Sequence, residues 1–335
     1  MTDHMNRRRF VAGAGAAGVS LVAGCTGDGG DGGGDGGSDG GDGGDGGDGG
    51  GGTTRLSWHA GGTGGTYFPL SNEFKQVVEG NTDFRLQVQS TGASVANVGS
   101  LSNGSADFAL IQNDVAYFAA NGTGIEAFID NAVENLRGVA TLYPETITIV
   151  TLASTGISQP ADLEGKVINT GDLGSGTQVN ATQILEALGI EEYTEQNAGF
   201  STAADQLKNG DIDAAFVVGG WPVGAISDLA TTNDAEIVPI AGENRQAVLD
   251  SAPFYAQDTI PGGTYSGISE ARETVSVQAM IATRAELGAS TVEEVTAAIF
   301  DNLGDLTIKT QFITRDSAQE GMSIDLHEGA QAYFG

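Results

Sequence analysis

The fold of this chain is set by one stretch, Leu56-Ser57-Trp58-His59-Ala60-Gly61-Gly62-Thr63-Gly64-Gly65-Thr66-Tyr67. A short apolar run that meets a glycine-rich turn predicts a buried strand over residues 56–59. A helix is expected to follow over residues 69–79. Backbone N–H groups at the start of such a helix favour an anionic ligand group. The turn is not a dinucleotide fingerprint, because Tyr67 stands where that motif needs its third glycine.

Strands and helices alternate along the rest of the chain, which indicates an α/β architecture. Their order predicts two lobes, with the second inserted into the first. We place lobe I at residues 54–150 and 274–335, and lobe II at residues 151–273. Strands near 146–152 and 274–283 would connect the lobes as a two-strand hinge. A ligand would then bind in the cleft between the lobes. Further strands are predicted at 84–89, 108–111, 136–143, 167–169, 212–218 and 236–240.

The N-terminal residues carry the pattern of an exported lipoprotein. Arg7, Arg8 and Arg9 precede a small apolar stretch, which is typical of a twin-arginine signal over residues 1–24. Small residues just before Cys25, the single cysteine, resemble a lipobox. We therefore expect a lipid on Cys25 that anchors the protein to the outer face of the cytoplasmic membrane. The alternative is a chance cysteine at the end of a signal peptide.

Residues 25–53 consist almost wholly of glycine and aspartate. They offer no apolar side chain to bury, so we expect a disordered tether between the anchor and the globular part. A calcium-binding repeat is the alternative, because glycine and aspartate also build such turns. That alternative is weaker, since the apolar residue that lets calcium-binding coils stack is missing.

The formal net charge of −30 limits the partners of the protein. A strongly acidic surface repels nucleic acid and anionic membranes. High salt shortens the Debye length and reduces the self-repulsion, so the composition indicates a halophilic protein. An acidic interaction surface is the alternative, but the acidic residues are spread along the whole chain. We expect a monomer.

Catalytic and metal-binding patterns are missing from the sequence. Only His59 and His327 follow the signal, far apart, and no Gly-x-Ser-x-Gly motif occurs after residue 53. We therefore expect no enzyme activity, no cofactor and no metal site. His59 follows a predicted strand beside the glycine-rich turn, so contact with a ligand and a structural role both stay open. Glycine-rich turns before helices occur three times, at residues 61–67, 91–94 and 174–177, which favours ligand binding.

Eight segments resemble the TAXI-type solute receptors of the TRAP transporter family, over residues 56–335. The resemblance implies a two-lobe fold of the type II periplasmic binding proteins. It also implies a small organic acid or amino acid as ligand, such as glutamate, and delivery to a TRAP membrane permease. Ala93 and Trp221 depart from the usual pattern and could reshape the pocket. The segments are 62–69, 90–97, 112–117, 142–145, 162–166, 174–181, 213–222 and 326–330.

The resemblance and the turns together give a set of candidate ligand-binding residues. Asn97 would face the cleft or the helix surface, Asp114 would pair with a ligand ammonium or cap its helix, and Trp221 would stack on the ligand or belong to the core. The motif segments contain no Arg or Lys except Lys166, so a bound anion would rely on helix ends and hydroxyl groups. The full set is Gly65, Thr66, Tyr67, Ser94, Asn97, Asp114, Tyr143, Ser175, Gly176, Thr177, Asn180 and Trp221.

Two classes of function stay open at this point. The first is a receptor that binds a solute and passes it to a permease without chemical change. The second is a surface ligand sensor or a secreted enzyme on the same fold.

Overall fold

The computed structural model describes residues 54–335. The predicted signal, the lipidation site Cys25 and the tether lie outside these described residues. Within them, the strands are β1 Arg55–His59, β2 Arg85–Gln89, β3 Phe108–Gln112, β4 Leu136–Leu152, β5 Val167–Asn169, β6 Thr194–Gln196, β7 Ala214–Val218, β8 Ala235–Val238, β9 Ala256–Ile260 and β10 Arg272–Arg284. The helices are α1 Tyr67–Asn81, α2 Ser94–Ser102, α3 Asn113–Asn121, α4 Gly176–Ala187, α5 Phe200–Asn209, α6 Gly224–Thr232, α7 Gly242–Ser251, α8 Ala289–Phe300 and α9 Glu328–Phe334.

The strands form a mixed sheet in the order β2-β1-β3-β10-β4-β7-β5-β6. Strand β1 is parallel to β2 and β3, and strand β5 is parallel to β6 and β7. Between these two parallel groups, β10 and β4 run antiparallel to their neighbours. Strands β8 and β9 pair with β4 and β10 outside this order. The predicted α/β fold with two strand groups joined by two long strands is confirmed.

Strand β4 differs from its prediction. The sequence predicted two strands broken near Pro144, whereas the structure has one strand of 17 residues. Proline is tolerated here because Pro144 lies opposite Gln278, where the pairing with β10 shifts register between Gln278 and Met280. The irregularity absorbs the missing N–H, and the strand continues into the second group of strands.

Each strand group has its own buried core. In the first, Trp58 stacks on Phe108 with ring centroids 5.4 Å apart and meets Phe74 edge-on at 5.8 Å. In the second, alternate residues of β7 point to opposite faces, so that Phe216 and Val217 belong to different clusters. Helices therefore cover both faces of this part of the sheet, as expected for parallel strands.

Helix α4, which borders the cleft described below, begins with a side-chain cap. The Ser175 hydroxyl accepts a hydrogen bond from the Gln178 N–H at 3.1 Å and caps α4. Across residues 54–335, no helix combines the length and the apolar character needed to cross a membrane.

Candidate functional site

A cleft lies where the ends of strands from both groups meet. It encloses about 570 Å³, including its open mouth. Glycine-rich turns and helix starts form its walls, because close backbone approach requires small residues. The lining residues are Gly61, Gly62, Gly64, Gly65, Thr66, Tyr67, Thr91, Gly92, Ala93, Ser94, Gln112, Glu145, Asp172, Ser175, Gly176, Thr177, Gly199, Phe200 and Val218.

Three helix N-termini meet at this cleft. Helix α1 begins at Tyr67, α2 at Ser94 and α4 at Gly176, and each of these residues lines the cleft. The start of each helix carries a partial positive charge, and the first N–H groups of α1 and α4 have no partner within their own helices, which favours an anion. No Arg, Lys or His lies among the lining residues of the described chain. A bound anion would therefore rely on N–H groups and hydroxyls.

Ala93 lies in a tight turn at the start of α2. It precedes α2 with φ of 63° and ψ of −142°, a conformation that favours glycine. The Thr91 hydroxyl accepts a hydrogen bond from the Ala93 N–H at 3.1 Å and holds the turn. Strain of about 1–3 kcal/mol at such a residue is typical of ligand-binding turns.

The two strand groups are connected across the cleft by several hydrogen bonds. The Thr66 hydroxyl donates to the Gly220 carbonyl at 3.2 Å, and the Ala225 N–H donates to the Gly64 carbonyl at 3.2 Å. The N–H groups of Val95 and Ala96 donate to the Gly174 carbonyl. The glycine-rich turns therefore hold the walls together as well as lining the space between them.

The predicted site residues fall into two sets. Seven line the cleft, namely Gly65, Thr66, Tyr67, Ser94, Ser175, Gly176 and Thr177. Five do not, namely Asn97, Asp114, Tyr143, Asn180 and Trp221. His59 does not line it either, although it is buried.

Asn97 and Trp221 have structural surroundings. The Asn97 side chain is fully buried and donates to the carbonyls of Ala60 and Leu110 at 2.6 and 2.8 Å. This side chain connects the turn after β1 to strand β3. It therefore faces neither the cleft nor the helix surface, the two positions expected from the sequence. Trp221 packs at the margin of a core cluster and meets Phe312 edge-on, with centroids 6.1 Å apart.

Asp114 and Asn180 form a buried hydrogen bond behind the cleft. The Asn180 side-chain N–H donates to an Asp114 oxygen at 2.7 Å, and its oxygen accepts from the Gln112 amide at 3.1 Å. Burial raises the pKa of Asp114 to about 6, while the bond from Asn180 opposes that shift. The N-cap of α3 is Gln112, so the alternative that Asp114 caps this helix was wrong.

The sequence analysis missed Gln112, Glu145 and Phe200 as lining residues. Gln112 and Glu145 belong to segments 112–117 and 142–145, which carry the family resemblance. From those two segments the sequence analysis chose Asp114 and Tyr143 instead. Phe200 had no signal, because it only begins α5 after Gly199. A Cβ on Gly65 would lie 3.3 Å from the Phe200 ring, which shows how closely the two walls approach.

Glu145 is the most perturbed acid in the cleft. Its side chain is 3% exposed and one carboxyl oxygen has no hydrogen-bond partner. Burial raises its pKa to about 8, although Tyr143, Gln112 and the charge of Lys309 favour the ionised form. The hydroxyls of Tyr67 and Tyr143 and the side-chain oxygen of Gln112 are also buried and unpartnered.

Lys309 lies behind Tyr143 and Glu145. A Cβ on Gly220 would come within 2.6 Å of the Lys309 Cε and 2.8 Å of the Tyr143 ring. The Lys309 ammonium donates to the Trp221 carbonyl, and burial lowers its pKa to about 8.

No group of three or more His, Cys, Asp or Glu residues within 54–335 is placed to hold a metal ion.

Solved structures with similar folds include a protein of Bordetella bronchiseptica RB50, with a TM-score of 0.52, 13% identity and coverage of 84% of this chain and 82% of that chain. The alkanesulfonate-binding protein of Xanthomonas axonopodis pv. citri, bound to MOPS, has a TM-score of 0.46 and 15% identity, covering 77% and 78%. An ancestral arginine-binding protein bound to arginine has a TM-score of 0.46 and 14% identity, covering 84% and 98%. The likeness to the Bordetella bronchiseptica protein agrees with the predicted α/β fold.

The family model gives the more specific result. It matches residues 59–335, which include every residue of the cleft described above. The chain therefore belongs to the NMT1-like family.

Proposed function

We propose that this protein is an extracytoplasmic solute receptor that binds a small organic acid or amino acid and delivers it to a TRAP membrane permease. The cleft carries this proposal, because it combines three helix N-termini with buried polar atoms that have no partner in the protein. Unpartnered buried polar atoms cost free energy, so a site retains them when a ligand or ordered water completes their hydrogen bonds.

The topology supports a binding role in which the two lobes close. Strands β4 and β10 are the long elements that run between the strand groups. The hydrogen bonds across the cleft join turns of the first group to turns of the second. We propose the boundaries 54–150 with 274–335, and 151–273, for the two lobes. Opening about these strands would expose the cleft, and a ligand bound to both walls would favour the closed state.

Delivery to a TRAP permease and a glutamate-like ligand rest on the resemblance of the eight segments. The lipid on Cys25 and the tether over residues 25–53 complete the proposal, since they would hold the receptor at the membrane surface. We propose that the seven lining residues of the predicted set contact the ligand directly.

The first experiment is thermal unfolding of the whole chain in molar salt with dicarboxylates, amino acids and 2-oxo acids, followed by calorimetry. A ligand at 100 times its dissociation constant should add about 2.7 kcal/mol of stability. Mass spectrometry of the recovered ligand should show no chemical change. Turnover of the ligand, or the absence of any binding across the panel, would refute the receptor.

A matched pair of variants locates the ligand. Thr177→Val removes a hydroxyl from the cleft wall, and Thr182→Val removes one from the exposed face of the same helix. The first should weaken binding about tenfold, as expected for one lost hydrogen bond, and the second should leave the affinity unchanged. Equal effects of the two changes would place the ligand elsewhere.

A further inference from the structure

We propose that Glu145 and Gln112 form an acceptor pair for the ammonium group of the ligand, so that the cleft selects amino acids over dicarboxylates and 2-oxo acids. The inference rests on the proposed receptor function and narrows its ligand class. The ligand class follows from which buried atoms of one cleft wall are hydrogen-bond donors and which are acceptors.

The orientation of Gln112 is fixed by a chain of three side chains. Asp114 presents a carboxylate oxygen that accepts from the Asn180 amide nitrogen at 2.7 Å. The Asn180 oxygen must then face Gln112, whose amide nitrogen donates to it at 3.1 Å. The remaining Gln112 atom is its oxygen, which is buried, unpartnered and directed against Gly176 at the cleft wall. This wall therefore offers an acceptor at that point.

Glu145 supplies the second acceptor of the pair. It lines the cleft, is 3% exposed, and has one carboxyl oxygen without a hydrogen-bond partner. The Gln112 amide lies close enough to the Glu145 carboxyl to favour its ionised form and so to oppose the rise of its pKa. A ketone or carboxylate oxygen of a ligand can accept from the protonated Glu145 but leaves the Gln112 oxygen unpaired. An ammonium carries three N–H donors and satisfies both.

The rest of the cleft binds the opposite charge. The N-termini of α1 and α4 supply N–H groups for a carboxylate, and Ser94 and Thr177 supply hydroxyls. Within the described chain no basic side chain lines the cleft, and Asp172 lines it as a further acid. A ligand that carries a carboxylate and an ammonium matches both walls. A ligand with two anionic ends would leave one of them facing Gln112 and Glu145.

The protonation of Glu145 provides an independent signature. The charged and titratable groups that face this side chain are Tyr67, Tyr143, Asp114 and Lys309. Because burial keeps the carboxyl protonated in the empty cleft up to a pKa of about 8, an arriving ammonium should displace that proton. Binding of an amino acid near neutral pH should then release up to one proton.

The test uses ligand sets that differ only at the carbon bearing the amine. One set is glutamate, 2-oxoglutarate and glutarate, and further sets are alanine, pyruvate and propanoate, and leucine with its oxo and deamino analogues. Calorimetry on the whole chain in two buffers of different ionisation enthalpy gives the affinity and the protons released. In at least one set, the amino acid should bind about 10-fold to 100-fold more tightly than its analogues, with proton release.

The variant Glu145→Gln keeps the size of the side chain and removes its charge. It should lower amino-acid affinity about 10-fold to 100-fold and abolish the proton release. Glu126→Gln, the same change on the exposed surface, should alter neither quantity. Circular dichroism of each variant establishes that it is folded.

Each outcome is decisive. Equal or tighter binding of an oxo or plain acid overturns the inference while the receptor function stands. Selectivity for the amine that survives Glu145→Gln removes Glu145 from the site. Failure of all three sets to bind, together with failure of the wider panel, refutes the receptor function and this inference with it.

Discussion

Replacing Glu145 with glutamine should make the ligand-free protein more stable at alkaline pH. The carboxyl is buried among Tyr143, Gln112 and Lys309, and burial raises its pKa from 4.5 to about 8. The folded protein therefore holds a proton that the unfolded chain has released between these two values. Stability falls as the pH rises through this interval and reaches its full loss above the folded pKa.

The size of the effect follows from the shift. One pKa unit corresponds to about 1.4 kcal/mol, so the rise to about 8 amounts to about 5 kcal/mol above that pH. Glutamine is neutral at every pH and nearly the shape of the protonated acid. The free energy of unfolding of Glu145→Gln should therefore match the wild type below about pH 4.5 and exceed it increasingly up to about pH 8.

Lys309 acts in the opposite direction at higher pH. Burial lowers its pKa from 10.5 to about 8, so the unfolded chain holds the extra proton between these values and stability rises with pH there. Glu145 and Lys309 together should give the wild type a stability minimum near pH 8. In Glu145→Gln the loss of stability between about pH 4.5 and pH 8 should be smaller. The loss that remains is due to Asp114, whose pKa rises only to about 6.

Urea unfolding of the whole chain in molar salt, followed by circular dichroism at several pH values, measures this difference. Glu126→Gln is the control, because the same change on an exposed side chain should alter stability by no more than about 0.5 kcal/mol. A Glu145→Gln profile parallel to the wild type across the whole range would refute the reasoning. So would a variant less stable than the wild type near pH 8.

Two further changes test the walls of the cleft. Gly176→Ala places a methyl group onto the Gln112 side chain, so ligand affinity measured by calorimetry should fall at least about tenfold, whereas Gly80→Ala, in open space on α1, should leave it unchanged. An unchanged affinity of Gly176→Ala would show that ligand binding does not require the close contact between Gly176 and Gln112. Asn180→Ala leaves the buried Asp114 carboxylate without its 2.7 Å hydrogen bond, and urea unfolding should show a loss of about 3 kcal/mol at neutral pH. A loss below about 1 kcal/mol would mean that water replaces the amide.

Much of the fold was predictable because local signals agreed with each other. The run around Trp58 ends at a glycine-rich turn, and the structure has a strand and then a helix at that place. Strand β9, with mostly polar residues on one edge of the sheet, had no apolar pattern and was missed. Its formation depends on pairing with β10, which is a contact between distant parts of the chain.

The candidate site was predictable where it is built from turns. Ser94, Ser175 and Thr177 were found because glycine-rich turns before helices mark N–H groups at helix starts. Gln112 ends β3 and Glu145 lies within β4, and both were missed because an apolar pattern identifies a strand without showing which of its polar side chains reach a cleft.

The central place of β10 affects how the protein is made. Strand β10 lies between β3 and β4, yet its residues leave the ribosome long after both of them. Until then β3, which is buried on both faces in the finished protein, and the first part of β4 each have an unpaired edge. Exposed apolar edges of this kind pair readily with other chains. A nascent chain that stalls before residue 272 would therefore be prone to aggregate, and chaperones that shield strand edges would raise the yield.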